Sequence, residues 1–292
     1  MIDPFDALRA PSIPVDPDPV FATRLRARLE RALALPRGVL VSETRPDPRP
    51  RSDAVPAAAQ EPVFRHGDVG YAWLSVPDVD RAVAFYSALL GWTVAPGSDG
   101  QGRQVVGRSP HLGLHGGEPR GTLNCCYAVD DVTAAVGRVR AAGGRAGKPS
   151  EAPYGLVANC TDDQGTVFAL YQPPGGVGTG PPAMGSHGDL AYVSFEVVDS
   201  ARCRAFYAAA LGWNFTSGSI EDGWQIQGVM AGVHGGHAQV TTLPMWRVDD
   251  LVLSIDRVRA TGGTATEPQT RPYGQEAECA DDQGTRFYLG QL

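Results

Sequence analysis

The chain has 292 residues, with 32 acidic against 25 basic side chains and a net charge of -7, enough length for about two domains that each build a core. An acidic balance lacks the basic excess that a nucleic-acid binder sets against phosphates. No apolar run approaches the roughly 18 residues of a membrane span, and the start MIDPFDALRAP is not a basic then apolar leader, so a cytoplasmic protein with neither nucleic-acid nor membrane partners is expected.

Residues 1–36 are expected to carry one amphipathic helix over about 19–35. Asp18 is placed to cap it, Pro19 suits its first turn, and Phe21, Leu25, Leu29 and Leu33 recur every four residues before Pro36. A one-faced helix needs a surface to cover: the chain's own domains, or a second subunit in a homodimer. Residues 37–62 are proline-punctuated and without periodicity, the composition of a flexible linker.

From His66 onward the chain says one thing twice. HGDVGYAWLSVPDVDRAVAFYSALLGW returns from His187 as HGDLAYVSFEVVDSARCRAFYAAALGW. His115-Gly116-Gly117 returns at His234, and PYG followed by DDQGT and a Phe (Pro153 to Phe168) returns at Pro272 to Phe287. Each unit far exceeds the roughly 20–50 residues of a solenoid repeat, so two complete domains are expected, 66–174 and 187–292. The five cysteines are a poor disulfide set, with Cys125 and Cys126 adjacent and Cys160 and Cys279 repeat equivalents; they read as small buried residues.

Within each domain lies a fainter duplication. Residues 70–117 read as a strand (YAWLSV), a helix (DVDRAVAFYSALLG) and short strands around 103–106 and 111–115. Residues 122–172 read the same way, with a helix at DDVTAAVGRVRAAGG and strands around 156–159 and 166–171. Two β-α-β-β-β modules per domain make four in the chain, an α+β architecture.

The strand ending in Val-x-Asp, the helix containing AFYxxxLGW (Ala84 to Trp92, Ala205 to Trp213) and the later DDQGTxF resemble the vicinal-oxygen-chelate superfamily of glyoxalase I, bleomycin-resistance proteins and extradiol dioxygenases. The resemblance covers about 66–292, and four modules in one chain are similar to the tandem glyoxalase-like proteins common in actinobacteria. It implies paired modules that curl a sheet into an open cup holding a small ligand or a metal. It also implies where a metal would sit: a His early in the first strand of each module and a Glu late in the last. Those columns here hold Tyr71, approximately Gly113, Asn124 and Ala169, then Tyr192, approximately Gly232, Leu243 and Tyr288. None is a usual ligand, so no cofactor is expected. The alternative is a divalent metal at relocated ligands, since strand alternation would turn His111, His115 and His234 to the same face as the glycines.

Other motifs carry two readings each. His66 with Asp68, and His187 with Asp189, would suit an acid–base pair, or the turn chemistry of Gly-Asp before a strand. The DDQG tetrads read as tight turns whose acidic charge is solvated. His115 and His234 are structural or pocket-lining imidazoles.

Alternation gives the first cup Tyr71, Trp73, Asn124 and Tyr171, with His115 and Tyr154 beside them, and the second Tyr192, Glu196, Met245, Arg247 and Tyr288, with Trp224, His234 and Tyr273 as neighbours. Apolar walls with a few placed polar groups suit a small molecule, while large rings would equally fill a closed core. Glu196 and Arg247 are costly to bury alone, so a pair across the second cup is expected to mark the binding site. The leading expectation is a metal-free small-molecule-binding protein of the bleomycin-resistance kind. The alternatives are a glyoxalase-like lyase, isomerase or dioxygenase with an atypical site, or an interaction module with filled cups.

Overall fold

The structure is a computed structural model and describes residues 64–97, 100–108, 110–152, 155–178 and 185–292; the expected amino-terminal helix, the linker and Tyr154 lie outside the described residues. Four helices, α1 (Val79–Leu90), α2 (Val132–Ala141), α3 (Ser200–Leu211) and α4 (Leu251–Ala260), stand where the repeated Val-x-Asp signals place them. Asp78, Asp131, Asp199 and Asp250 cap them, each carboxylate accepting from first-turn N–H groups that a helix leaves unpaired. α1 and α3 stop at Gly91 and Gly212, whose φ of 66° and 70° suits glycine.

The first sheet contains β1 (Val69–Ser75), β2 (Val94–Pro96), β3 (Gly102–Val105), β4 (His111–His115), β5 (Thr122–Ala128), β6 (Arg145–Ala146), β7 (Ser150–Ala152), β8 (Gly155–Thr161) and β9 (Val167–Gln172). The second repeats it as β10 (Leu190–Glu196), β11 (Phe215–Ser217), β12 (Gly223–Ile226), β13 (Ala231–His234), β14 (Thr241–Arg247), β15 (Thr264–Ala265), β16 (Gln269–Arg271), β17 (Gly274–Ala280) and β18 (Arg286–Gln291). Both sheets share one order, β2-β3-β4-β1-β5-β9-β8-β6 and its equivalent, with β7 and β16 as hairpin partners of β8 and β17. The two modules of a domain meet at the central antiparallel pair, β1 with β5 or β10 with β14. Those hairpin strands add one strand to each second module beyond the expected pattern.

Along β1, Ala72 and Leu74 are buried in the core while Tyr71 and Trp73 take the opposite face; along β10, Val193 and Phe195 are buried while Tyr192 and Ser194 face out. One apolar cluster collects the inner faces of both sheets and all four helices, with α1 against α4 and α2 against α3. Each sheet thus has an inner face in a shared core and an outer face free to form a cup.

The repeated motifs are the contacts between the domains. Trp92 packs edge-on against Trp246 at 5.0 Å and its indole N–H donates to the Gly188 carbonyl at 2.8 Å; Trp213 packs against Tyr127 at 5.1 Å and donates to Gly67. Tyr86 donates to Asp281, and Tyr207 to Asp162, both at 3.4 Å. Gln283 brackets the backbone of Asp78, Gln164 that of Asp199, and Arg81 and Arg202 pair with Asp282 and Asp163. The expectation of a solvated DDQG charge is therefore corrected: Asp162 and Asp281 are each 4% exposed. They accept two N–H bonds from their own turn and one hydroxyl from the other domain. Burial raises the Tyr86 and Tyr207 hydroxyls well above the usual phenol range, with the facing carboxylates adding to it, so both remain donors. The cysteines are free and buried.

A core shared in this way should unfold as one unit. Chemical denaturation followed by fluorescence and circular dichroism is expected to give coincident single transitions, and Trp92→Ala to lower stability by about 3–5 kcal/mol without separating the two domains into independent transitions.

Candidate functional site

The outer face of the first sheet carries packed rings. Cys126, Ala128, Ala169 and Tyr171 form a second apolar cluster, with Phe64, Tyr71, Trp73, Val157 and Val177 packed on it. Tyr71 and Trp73 stack at 6.2 Å and Phe64 meets Tyr171 edge-on at 6.3 Å. The Tyr171 ring lies where a side chain on Gly70 would stand. Asn124 is buried and donates to the Ser75 hydroxyl at 2.9 Å. His115 is half-buried at the end of β4, paired in register with Ser75 and Gly102.

The second sheet repeats the backbone and changes the filling. Ser194 stands where the first domain has Trp73, and Gly290 where it has Tyr171. Met245 packs over Gly290 and takes part of the space. A cavity of about 660 Å³ remains. Of the residues expected there, Tyr192, Trp224, His234, Met245, Tyr273 and Tyr288 line it. Ile220, Met230, Tyr273 and Leu292 form an apolar rim, each at least 40% exposed. Tyr192 donates to Gln225 at 2.8 Å, and burial moves the Tyr192 and Tyr288 hydroxyls up to about 12. Trp224 is fixed by Asp222, which accepts its indole N–H at 3.0 Å, and by the Arg204 guanidinium 3.6 Å over its ring.

The expected pair of Glu196 with Arg247 is not formed. Glu196 is 7% exposed and is held by Arg286 through two bonds of 2.7 and 2.9 Å. Arg286 also binds Glu278 at 2.7 Å, while Glu276 is held by Arg271 at 2.7 Å and by the Tyr273 hydroxyl. The two carboxylates raise the Arg286 guanidinium above its ordinary range, the Glu196 hydrogen bond leading. The Arg247 backbone instead pairs with the turn at Gly188 and Asp189. Arg286 and Tyr288 share a face of β18 by alternation, the signal that could have found this residue in the sequence. Ser194 was open to the same reasoning from Tyr192.

The ligand columns that the resemblance implies do not fit a metal. In both cups a tyrosine hydroxyl lies over a glycine, Tyr71 over Gly113 and Tyr192 over Gly232, and a Cβ at either glycine would collide with it. Leu243 and Ala169 offer no donor. Among the described residues no three His, Cys, Asp or Glu side chains are grouped to hold a metal ion. His66 contacts Asp130 at 2.6 Å, His187 lies 3.8 Å from Asp249, and Asp68 is bound by Arg65. Neither histidine thus faces the aspartate two residues on, and the carbonyls between them receive the tryptophans of the opposite domain. His66, Asp130 and Arg65 border a shallow hollow of about 500 Å³ between the domains.

The first domain supplies a control for the charge network, because Ser75 and Val167 stand where the second has Glu196 and Arg286. Arg286→Val is expected to cost about 2 kcal/mol by leaving Glu196 buried without its partner, and the double change with Glu196→Ser to recover most of that loss. A double-mutant cycle by denaturant titration measures the coupling.

Comparisons with known proteins agree with this geometry. Residues 72–171 match the family model of the glyoxalase-like domain. A protein named "Putative glyoxylase CFP32", from Mycobacterium bovis and Mycobacterium tuberculosis, is 27% identical over 251 residues, 77% of this chain and 94% of its own length. Among solved structures, the Mn(II)-bound glyoxalase from Novosphingobium aromaticivorans aligns with a TM-score of 0.62 at 15% identity, over 78% of this chain and 82% of that one. The 2,3-dioxygenase LapB from Pseudomonas sp. KL28 aligns at 0.60 and 15%, over 80% and 94%. Residues 72–171 thus match a glyoxalase-like domain, and the repeated β-α-β-β-β modules with two cup-forming sheets are the fold seen in the glyoxalase and dioxygenase structures.

Proposed function

We propose that this protein binds a small, flat, largely apolar molecule in the second cup, without help from a metal, and that the first cup is its filled structural counterpart. The observation that carries this reading is the exchange of Trp73 and Tyr171 for Ser194 and Gly290 on one backbone, with a cavity of about 660 Å³ in the second sheet. The volume lies within the roughly 300–1,000 Å³ of small-molecule sites. Tyr192, Trp224, Tyr273 and Tyr288 offer faces for stacking, and Met230 and Met245 adapt to irregular shapes. The glyoxalase and dioxygenase chemistry named for the relatives is not carried over, because the donors that would hold a metal are replaced in both cups. Binding or sequestering a ligand uses the cup without the ion. No described helix is long and apolar enough to cross a membrane, and a small molecule is the partner this surface suits.

A fragment panel screened by thermal shift and ligand-observed NMR tests the reading. Planar fragments are expected to bind the wild type, and Ser194→Trp, which installs the first domain's own residue, to abolish binding while the fold is retained. Metal analysis of the purified protein after loading with zinc, nickel, manganese and iron is expected to stay far below one ion per chain. Binding that survives Ser194→Trp would move the site elsewhere, and stoichiometric metal would overturn the metal-free reading.

A further inference from the structure

Resting on the reading of the second cup as a ligand site, we propose that this cup is also an acid–base site. In it, Nε2 of His234 takes the proton of a neutral planar weak acid, one with a dissociable O–H, and the positive charge is shared through His237 toward Glu196. His234 lines the cavity, and its Nδ1 lies 2.9 Å from Nε2 of His237, with the rings edge to face at 4.6 Å. His237 Nδ1 lies 3.6 Å from the Glu196 carboxylate, which Arg286 holds. His237 is taken with its proton on Nδ1, toward Glu196. A neutral His234 donates from Nδ1 to His237, whose own Nδ1–H faces Glu196, leaving Nε2 of His234 as the accepting nitrogen.

The first domain keeps the imidazole and lacks the rest. His115 is the counterpart of His234, but Ser75, Glu118, Asn159 and Val167 stand where the second domain has Glu196, His237, Glu278 and Arg286. The relay was therefore built in the domain that holds the cavity, from residues the fold does not require.

The surrounding charges choose the ligand. Glu196 faces His237 from β10, and Asp222 stands near His234 in the turn before β12, its carboxylate held low by Ser200, Trp224 and Arg204. Glu276 and Glu278 face the same cavity from β17. Arg271, Arg286 and Arg204 answer these four carboxylates with three guanidiniums. A ligand already carrying a carboxylate or phosphate would meet a surplus of negative charge. A neutral acid that passes its proton to His234 leaves the total unchanged and places its new anion beside an imidazolium. In that step the ligand O–H bond breaks, its electron pair stays on oxygen, and an N–H bond forms at Nε2; release reverses it. The Tyr288 hydroxyl, kept protonated by burial, lines the same cavity and can donate to the anion.

The probe is 4-nitrophenol, whose anion is yellow and whose neutral form is nearly colourless, titrated with the full-length protein on the acid side of the free probe's own transition. Wild type is expected to bind it and to generate the phenolate band in proportion to occupancy. His234→Asn should bind the probe, read by thermal shift and NMR, without the band. His237→Gln should keep binding and lose several-fold in band intensity. Ser194→Trp should lose both. Wild-type binding without the band, or an undiminished band in His234→Asn, overturns the proton transfer while leaving the cup as a binding site. No binding of the probe by the wild type overturns both readings.

Discussion

The shared core depends on two buried aspartates that their own domains leave incompletely satisfied. Asp162 and Asp281 each sit in a turn that supplies two backbone N–H groups, and each receives its next donor from a tyrosine of the opposite domain. Removing such a carboxylate from water is costly unless its bonds are replaced, so separating the domains would expose apolar surface and strand polar groups at once. The tryptophans repeat the logic, burying an indole while handing its N–H to a carbonyl across the boundary. The motifs shared by both halves of the sequence are therefore held in place by each other. HGD receives the tryptophan of LGW, and DDQG receives the tyrosine of AFY together with the cap of its helix.

Because the inner faces are bound to one another in this reciprocal way, the outer faces can diverge without disturbing the fold. On the first outer face Trp73 and Tyr171 make ring contacts with Tyr71 and Phe64. In the second, smaller residues at the same two positions coincide with a run of charged ones, Glu196, Glu276, Glu278, Arg271 and Arg286. Ion pairs of this kind, with partly exposed arginines and a buried Glu196 and Glu276, are poor sources of stability compared with apolar packing. Their confinement to the domain with the cavity is better explained by a demand of the cavity than by one of the fold.

The sequence carried the fold in its repeats, and physical period carried much of the site. Alternation along β1 and β10 separated Ala72 and Val193 from Tyr71 and Tyr192 because one face of each strand is buried in the core. The same rule pointed at Arg247 and passed over Arg286, since parity names a face but not which cation reaches a given carboxylate; that depends on the placement of β18 relative to β10. The reading of DDQG as a solvated turn was locally sound, as the turn itself and its positive-φ Gly165 and Gly284 are present. It missed the burial because the covering tyrosine comes from 195 residues away in one case and 45 in the other. The exchange of Tyr171 for Gly290 was readable by setting one repeat against the other.

The tyrosine–glycine pairs bear on why the residues in these columns do not fit a metal. Tyr71 with Gly113 and Tyr192 with Gly232 are the same solution in both cups, unlike the charges, which belong to one. Each hydroxyl occupies the space that a side chain on the glycine would need, so a histidine restored at Gly232 alone would collide with Tyr192. A histidine restored at Tyr192 alone would face a glycine, with Leu243 beyond it. Neither single step improves a donor set, and each first removes a packing contact. The two positions are locked by volume as well as by chemistry, and the protic side chains lining the second cavity include Tyr192, Tyr273, Tyr288 and His234, the last backed by His237 and Glu196.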